Sequence, residues 1–575
     1  MLRLRASKFL INCFGLMYPK VTSSAPYDIG DIDDCLYVLQ TVTNIMICSP
    51  ANIGPSFSVH NPLADTIRAV RTAPSPSLSE MNSTEDTSTV QYFIIRICLS
   101  ILGESLWDDV TPAAKASSLR RAATSLLQQI LLGLLPVAYS LPLMVGTLIK
   151  SLIQSVRHAD TSLQPPLMDL LVTVIQTSSV DSLRNPQLIH QSSTSGDNIQ
   201  NLHSSSISAE RSEKDEAASI SFLPPPALLD CLLLGLNSPS SYPVLEHWVR
   251  FLDECLPFYA ENAFHILLPL VECFNQAIRT VFRLLRADFE QGQGAVTVAH
   301  EPLGTLHFLL TGLERSLARA HERLIQHEAG VVSLKVPEYN QGFFGNMVSG
   351  VFAPEATKSR QTTANNRLTV LLCFKDAVHL CLDIWTWGSQ VSDSPPRGST
   401  SSASFNYTTV RMKNRTRRIL EHLFAAEALE CLETLVEVWS QSGHPNRSSK
   451  SSAVFDLLHV LNGTRPKNSI PALFNAMYSR TNPNALDPSR KSSMTADLSD
   501  ISIAEFLVVY MRSLEDDTMD EIWSDCMTFL KDVLTNPLPH RQTLPKLLEF
   551  AAILGEKVGN TNFGEQRRMR RDLGV

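Results

Sequence analysis

Two histidines bracket a charged helical segment, HERLIQH, from His321 to His327. A zinc-protease helix needs HExxH, which sets both imidazoles on one face with the glutamate beside them as base. At a spacing of six the two rings leave that face, and the zincin reading fails. GNTNFGEQ places Gly559 and Gly564 as a phosphate loop would, but Glu565 stands where the phosphate-binding lysine is required. Neither GxSxG nor a defensible Cys–His–Asn arrangement occurs. The 11 cysteines include no CxxC and no Cys/His zinc spacing. Cys231, Cys255, Cys273, Cys373, Cys381 and Cys431 fall inside apolar helical stripes, so they read as buried reduced thiols. Glu427, Glu430, Glu433 and Glu437 recur at three-and-four spacing and read as a charged outer face, not as paired catalytic acids. No catalytic residue, cofactor site or metal-ligand set is assigned.

Two other kinds of residue could meet a partner. In the stretch EYNQGFFGNMVSGVFAPEATKSR, Phe343, Phe344, Met347, Val351 and Phe352 are punctuated by Gly342, Gly345 and Gly350. Glycines oppose a stable exposed helix there, while the aromatics resist solvation. Such a loop either docks on a protein or membrane surface or packs back on its own scaffold. The basic run RMKNRTRR brings together Arg411, Lys413, Arg415, Arg417 and Arg418 just before the helix expected at 419–424. Cations at a helix start oppose its dipole, so an anionic lipid or acidic partner is one demand they could serve, and a solvated face the other. A second basic cluster, Arg567, Arg568, Arg570 and Arg571, follows near the last residues.

The elements that must carry these residues are helices. Between Pro224 and Phe289 three are legible, with apolar stripes at Leu245, Trp248, Leu252, Cys255 and Tyr259, then at Phe264, Leu267, Val271, Phe274, Ile278, Val281 and Leu285. Striped helices joined by tight turns cannot bury their stripes alone, so they stack on neighbours. The expected fold is therefore all-α, an α-solenoid of antiparallel helix pairs of the HEAT/armadillo kind with long disordered insertions. A chain of 575 residues exceeds one ordinary core, and 44% hydrophobic content is enough to fold it. Charged residues make up only 18%, which leaves room for Ser/Thr/Pro-rich loops, and a net charge of −8 argues against a nucleic-acid binder.

In chain order, the expected parts are an N-terminal helical block at 1–181, a disordered linker at 182–221 and a central helical-repeat block at 222–388. A disordered loop at 389–405 and a C-terminal helical-repeat block at 406–575, with a disordered insertion near 480–500, complete it. The acid-free opening, with Arg3, Arg5, Lys8 and Lys20, reads either as a mitochondrial presequence or as part of an ordinary helix. Ala122–Ile149 carries no charge and is long enough for a membrane span, but Pro136 and Pro142 favour two short buried helices.

Four phrases carry a family resemblance: SSYPVLEHWVRFLDECLPFYAENAFHILLPLVECF, GFFGNMVSGVFAPE, RRILEHLFAAEALECLETL and NTNFGEQRRMRRDLG. They resemble the Dopey family of large leucine-rich trafficking scaffolds, fungal members above all, over about Val90 to the end. Those proteins are much longer, so the chain is expected to be an internal or truncated portion of one. The resemblance implies a non-enzymatic peripheral membrane protein on the cytosolic face of Golgi and endosomes, serving vesicle-mediated transport between them. It also implies two partners: a scaffold resembling Arf exchange factors, and a phospholipid flippase. That Arf-exchange-factor-like scaffold, an unrelated helical-repeat adaptor, or an integral membrane protein are the alternatives.

Overall fold

The computed structural model describes residue 10 and residues 29–48, 89–103, 113–133, 140–184, 224–260, 262–291, 301–333, 354–389, 402–441, 449–487, 490–493 and 498–561. Among them are seventeen α-helices and no β-strand. They group into two compact units, Met1–Ala260 and Glu261–Val575. The division falls inside the block expected at 222–388, because the helices up to Cys255 pack on those before them.

The first unit holds α1 (Ile29–Cys48), α2 (Val90–Gly103), α3 (Ala113–Leu132), α4 (Leu141–Arg157), α5 (Gln164–Arg184), α6 (Pro226–Asn237) and α7 (Leu245–Cys255). Each helix packs on the one two places along, so α1, α3, α5 and α7 form one row and α2, α4 and α6 the other. The rows are joined by the pairs α2–α3, α4–α5 and α6–α7. This two-layer stacking is the expected α-solenoid. The uncharged stretch Ala122–Ile149 is divided between α3 and α4, and Pro142 sits in the first turn of α4, where its missing N–H costs nothing. Among the described residues no helix is long and apolar enough to cross a membrane.

Trp248 on α7 shows how the rows lock. It is wholly buried, lies edge-on to Phe251 at 5.9 Å, and donates its indole N–H to Gln164 Oε1 on α5 at 2.9 Å. Gly235 on α6 makes room for it: a Cβ there would meet the indole ring at 2.3 Å. A bulky aromatic is thus admitted by one missing methyl and fixed in place by one hydrogen bond.

The second unit holds two further rows. One runs α8 (Ala263–Gln291), α10 (Pro354–Trp385), α12 (Ala428–Gln441), α14 (Pro466–Thr481) and α16 (Met519–Thr535), each packed on the next. Against it lie α9 (Pro302–Ser333), α11 (Ser402–Ala426), α13 (Ser449–Val460), α15 (Asp500–Ser513) and α17 (Leu544–Gly559). The stripe read on α8 is buried, with Phe274 and Ile278 fully so. Phe474 on α14 stacks on Phe529 of α16 at 4.0 Å, and Trp439, Phe455 and Phe506 join α12, α13 and α15. Such pairs add about 0.5–1.5 kcal/mol beyond the area they bury.

Two expected loops differ from this picture. Residues 402–405 of the loop expected at 389–405 already belong to α11. The insertion expected to be disordered near 480–500 is, over its described residues, pinned to the core. Arg480 Nε donates to the Leu498 carbonyl at 2.7 Å, and the Ser492 N–H donates to Ser479 Oγ at 2.9 Å. The linker expected at 182–221 lies, past Arg184, outside the described residues.

Candidate functional site

Of the residues singled out as partner contacts, Phe343, Phe344, Met347, Val351 and Phe352 lie outside the described residues, as do Arg567, Arg568, Arg570 and Arg571. The five cations from Arg411 to Arg418 are described, and they sit in the middle of α11 instead of ahead of a helix. The helix dipole therefore does not act on them, because its field is confined to the terminal turns. The helix also divides them between its two faces.

Arg415 points inward, its side chain 10% exposed, and pairs with Glu314 of α9 while donating to Thr311 Oγ1 at 3.0 Å. Glu314 also meets His422 Nδ1 at 2.6 Å. Lys413 Nζ stands 5.5 Å from the centre of the Trp385 ring, a cation–π distance. Arg417 pairs with Glu421 one turn on, at 3.0 Å. Arg411 and Arg418 are exposed, on the same side as Tyr407 (64% exposed) and Val410 (54%). Burial first, then the charges of Arg415 and Arg411, hold His307 on the facing helix below its ordinary value. The cluster is thus three structural cations and a smaller exposed face of two arginines, a tyrosine and a valine, with Arg418 Nε also 4.0 Å from Glu314 Oε1.

The glutamates of the next helices require a larger correction. Glu427, Glu430, Glu433 and Glu437 do not face solvent. Glu430 and Glu433 are 4% and 5% exposed. Three of the four meet cations from neighbouring helices. Glu427 takes Arg367 at 2.9 Å and His321 at 3.4 Å, and Glu437 takes Lys375 at 2.8 Å. Glu433 takes Arg480 at 2.6 Å and accepts from Ser492 Oγ at 2.6 Å. For Glu430, burial and the neighbouring charge of Glu427 raise the carboxyl to about 7. Arg367 and Lys375 lie eight residues apart on α10, two turns, opposite an acidic stripe of similar length. That matched spacing on two helices was the available signal, and nothing local to either helix pairs them.

The two histidines of HERLIQH have separate structural partners. His321 serves Glu427, while His327 Nδ1 lies 3.3 Å from Thr363 Oγ1 and its ring is edge-on to Phe264. Among the described residues no three His, Cys, Asp or Glu side chains are grouped to hold a metal ion. Burial pushes the Cys273, Cys373 and Cys381 thiols up to about 12, and Cys431 well up, which suits packing and not nucleophilic attack. The arrangement is chemically an internal brace: opposite charges on helices about 50 to 100 residues apart in sequence, set in contact where they fix register.

The family model described as DOP1 C-terminal matches residues 506–574, which start within α15 and take in α16 and α17. Protein dop1 of Emericella nidulans is 43% identical over 553 residues, 95% of this chain and 29% of that protein. Protein DOP1 of Saccharomyces cerevisiae is 29% identical over 361 residues, 60% of this chain and 20% of that one. The chain therefore spans less than a third of the length of either relative. No solved structure matches it.

Proposed function

We propose, from the premise that the chain belongs to the Dopey family, that it is a length of a non-enzymatic scaffold serving vesicle-mediated transport between endosomes and Golgi. The observation that carries this reading is where the charge goes. In the second unit the mostly covered acids Glu314, Glu427, Glu433 and Glu437 each meet a cation from another helix. A stack of helices braced in this way holds its surfaces in fixed relation, which is what a protein that assembles partners needs. Those partners are, by family likeness, a scaffold resembling Arf exchange factors and a phospholipid flippase.

Attachment to the cytosolic face of the membrane is assigned to the outer side of α11. Arg411 and Arg418 near an anionic leaflet contribute about 1 kcal/mol each, and Tyr407 and Val410 add apolar contact. That is weak binding, of the sort that works together with a second contact. The test is the double variant Arg411→Gln, Arg418→Gln, which removes both exposed charges without setting a carboxylate beside Glu314, 4.0 Å from Arg418 Nε, and spares Arg415 because its loss would strand Glu314. Sedimentation with vesicles containing phosphatidylserine should fall severalfold relative to the parent, and neither protein should sediment with phosphatidylcholine alone. The tagged protein should also leave Golgi and endosome membranes in cells. Unchanged sedimentation and unchanged localisation would remove α11 as the membrane contact.

A further inference from the structure

The turn that joins α16 to α17, residues 536–543, buries one side and leaves a leucine standing out. His540 and Thr543 are buried, and the His540 ring lies edge-on to Tyr478 and Phe529 at 5.8 and 6.4 Å. The His540 N–H closes the turn on the Pro537 carbonyl at 3.1 Å. Pro537 and Pro539 restrict the backbone on either side of Leu538. Leu538 is thereby held 81% exposed, the most of any large apolar side chain among the described residues. It does not stand alone. Leu534, near the end of α16, is 56% exposed, and Leu548, near the start of α17, 53%. Both border a groove of about 300 Å³ that opens beside the same turn and is lined also by Met527, Leu530 and Leu544. Large aliphatic side chains gathered at one turn form a patch, not the scattered apolar exposure that any protein shows.

The charges around the patch are mostly positive. Lys531, Arg541 and Lys546 lie about it, with Lys531 on the groove wall. The two acids of residues 527–549 are engaged elsewhere. Asp532 faces α14 and accepts from the Tyr478 hydroxyl at 2.5 Å, while Glu549 takes Arg512 of α15 at 2.6 Å and Lys546 at 3.2 Å. Arg490, also exposed, lies on the segment that follows α14, whose last turn packs beside the last turn of α16. In a chain of net charge −8, this end therefore presents leucines and cations together. An apolar tip ringed by cations is the composition of a contact with a membrane surface, where leucines enter the acyl boundary and cations stay at the headgroups. A second copy set tip to tip would bring these cations against one another, whereas an anionic leaflet complements them. Successive helices alternate in direction, so the first half of α11, with Tyr407, Val410 and Arg411, lies at this end too.

We propose that the α16–α17 turn inserts Leu538 into an anionic leaflet, with Leu534 and Leu548 at its surface and Lys531 and Arg541 on the headgroups. This rests on the membrane-attachment reading above and supplies the second contact that the weak α11 face calls for. The experiment uses the full chain with Cys13→Ser and Cys48→Ser, so that a thiol-reactive, environment-sensitive dye goes to an added Leu538→Cys. Ile325→Cys, 53% exposed and near the opposite helix ends, carries the dye as the reference. With mixed phosphatidylcholine–phosphatidylserine vesicles, the dye at 538 should brighten about twofold or more and be quenched by nitroxide-labelled lipid, while the dye at 325 stays as in buffer. Leu538→Asp with Arg541→Gln, both at exposed positions, should lower sedimentation with these vesicles severalfold. If the chain sediments while the dye at 538 is unchanged, or if the double variant sediments like the parent, insertion is overturned and attachment through α11 stands. If the parent itself does not sediment with these vesicles, the attachment reading falls and the insertion falls with it.

Discussion

Replacing Arg480 by methionine tests the brace where it is most deeply buried. Arg480 and Glu433 are 8% and 5% exposed. The guanidinium also donates to the carbonyls of Ala476 and Leu498 at 2.8 and 2.7 Å. Methionine fills much of the volume but leaves the Glu433 carboxylate with only Ser492. Breaking one partner of a buried pair costs about 3–5 kcal/mol, because the remaining charge is stranded. The loss should depend on pH, with a sign that follows from Glu433. Burial holds its carboxyl above the usual range, while Arg480 and then Ser492 pull it down. Without Arg480 it rises further, so the folded chain keeps a proton that the unfolded chain releases above about pH 4.3. A raised carboxyl makes stability fall as pH rises from the unfolded value to the folded one. Urea unfolding of parent and Arg480→Met should therefore differ near pH 4.5 only by the loss of the two carbonyl hydrogen bonds, about 1–2 kcal/mol, and by several kcal/mol more at pH 8. Adding Glu433→Leu should restore most of the difference, since an apolar pair needs no compensation. A deficit below about 1 kcal/mol at pH 8, or one of equal size at both pH values, would refute the reasoning.

Three further outcomes are expected. Gly235→Ala gains up to about 1 kcal/mol of helix propensity, but the new Cβ would sit 2.3 Å from a ring that cannot move, and overpacking of about 1–3 kcal/mol should prevail. Thermal unfolding should show a net loss, and a gain would mean that Trp248 shifts freely. Glu430→Gln removes a carboxyl that burial and Glu427 raise to about 7. Its advantage over the parent should be absent below pH 4, grow between about pH 4.5 and 7, and then level, as denaturation across that range would show. Under native conditions a thiol reagent should modify Cys48 rapidly, while Cys98, Cys231 and Cys526, all buried, react only on unfolding.

The α8 stripe was legible because Phe264, Leu267, Phe274 and Ile278 are apolar at helical spacing, and that pattern has few other solutions. The start of α11 was not, because threonines interrupt the inward apolar positions Phe405 and Met412. Thr408, Thr409 and Thr416 are buried, with Thr409 and Thr416 donating to the carbonyls of Asn406 and Met412 in their own helix. A hydroxyl satisfied in this way packs like a small apolar group while reading as polar. Glu427 and the glutamates of α12 failed for another reason. Three-and-four spacing is the same for a face in water and for a face against cations, and Arg367 lies 60 residues from Glu427. Pairing of that kind is a property of the packed rows. The segment after Arg480 has no periodicity to read, since it is held by Ser492 and the Leu498 carbonyl instead of by a stripe.

The order of the rows also sets an order of events during synthesis. Most packing joins a helix to the next one or the next but one, so a helix finds its partners soon after it emerges. The charge braces also join next-but-one helices, and the length of chain between the partners sets how long each waits. Glu314 waits 101 residues for Arg415, against 47 between Glu433 and Arg480. At about 5–20 residues per second that wait lasts roughly 5–20 s. Until then the carboxylate of α9 stays hydrated, and α8 and α9 can pair without committing to a register against the helices still to come. Arrival of Arg415 closes that period. The brace is thus a check made as α11 docks on helices whose own pairing has already formed, and it makes a misaligned α11 costly at that moment.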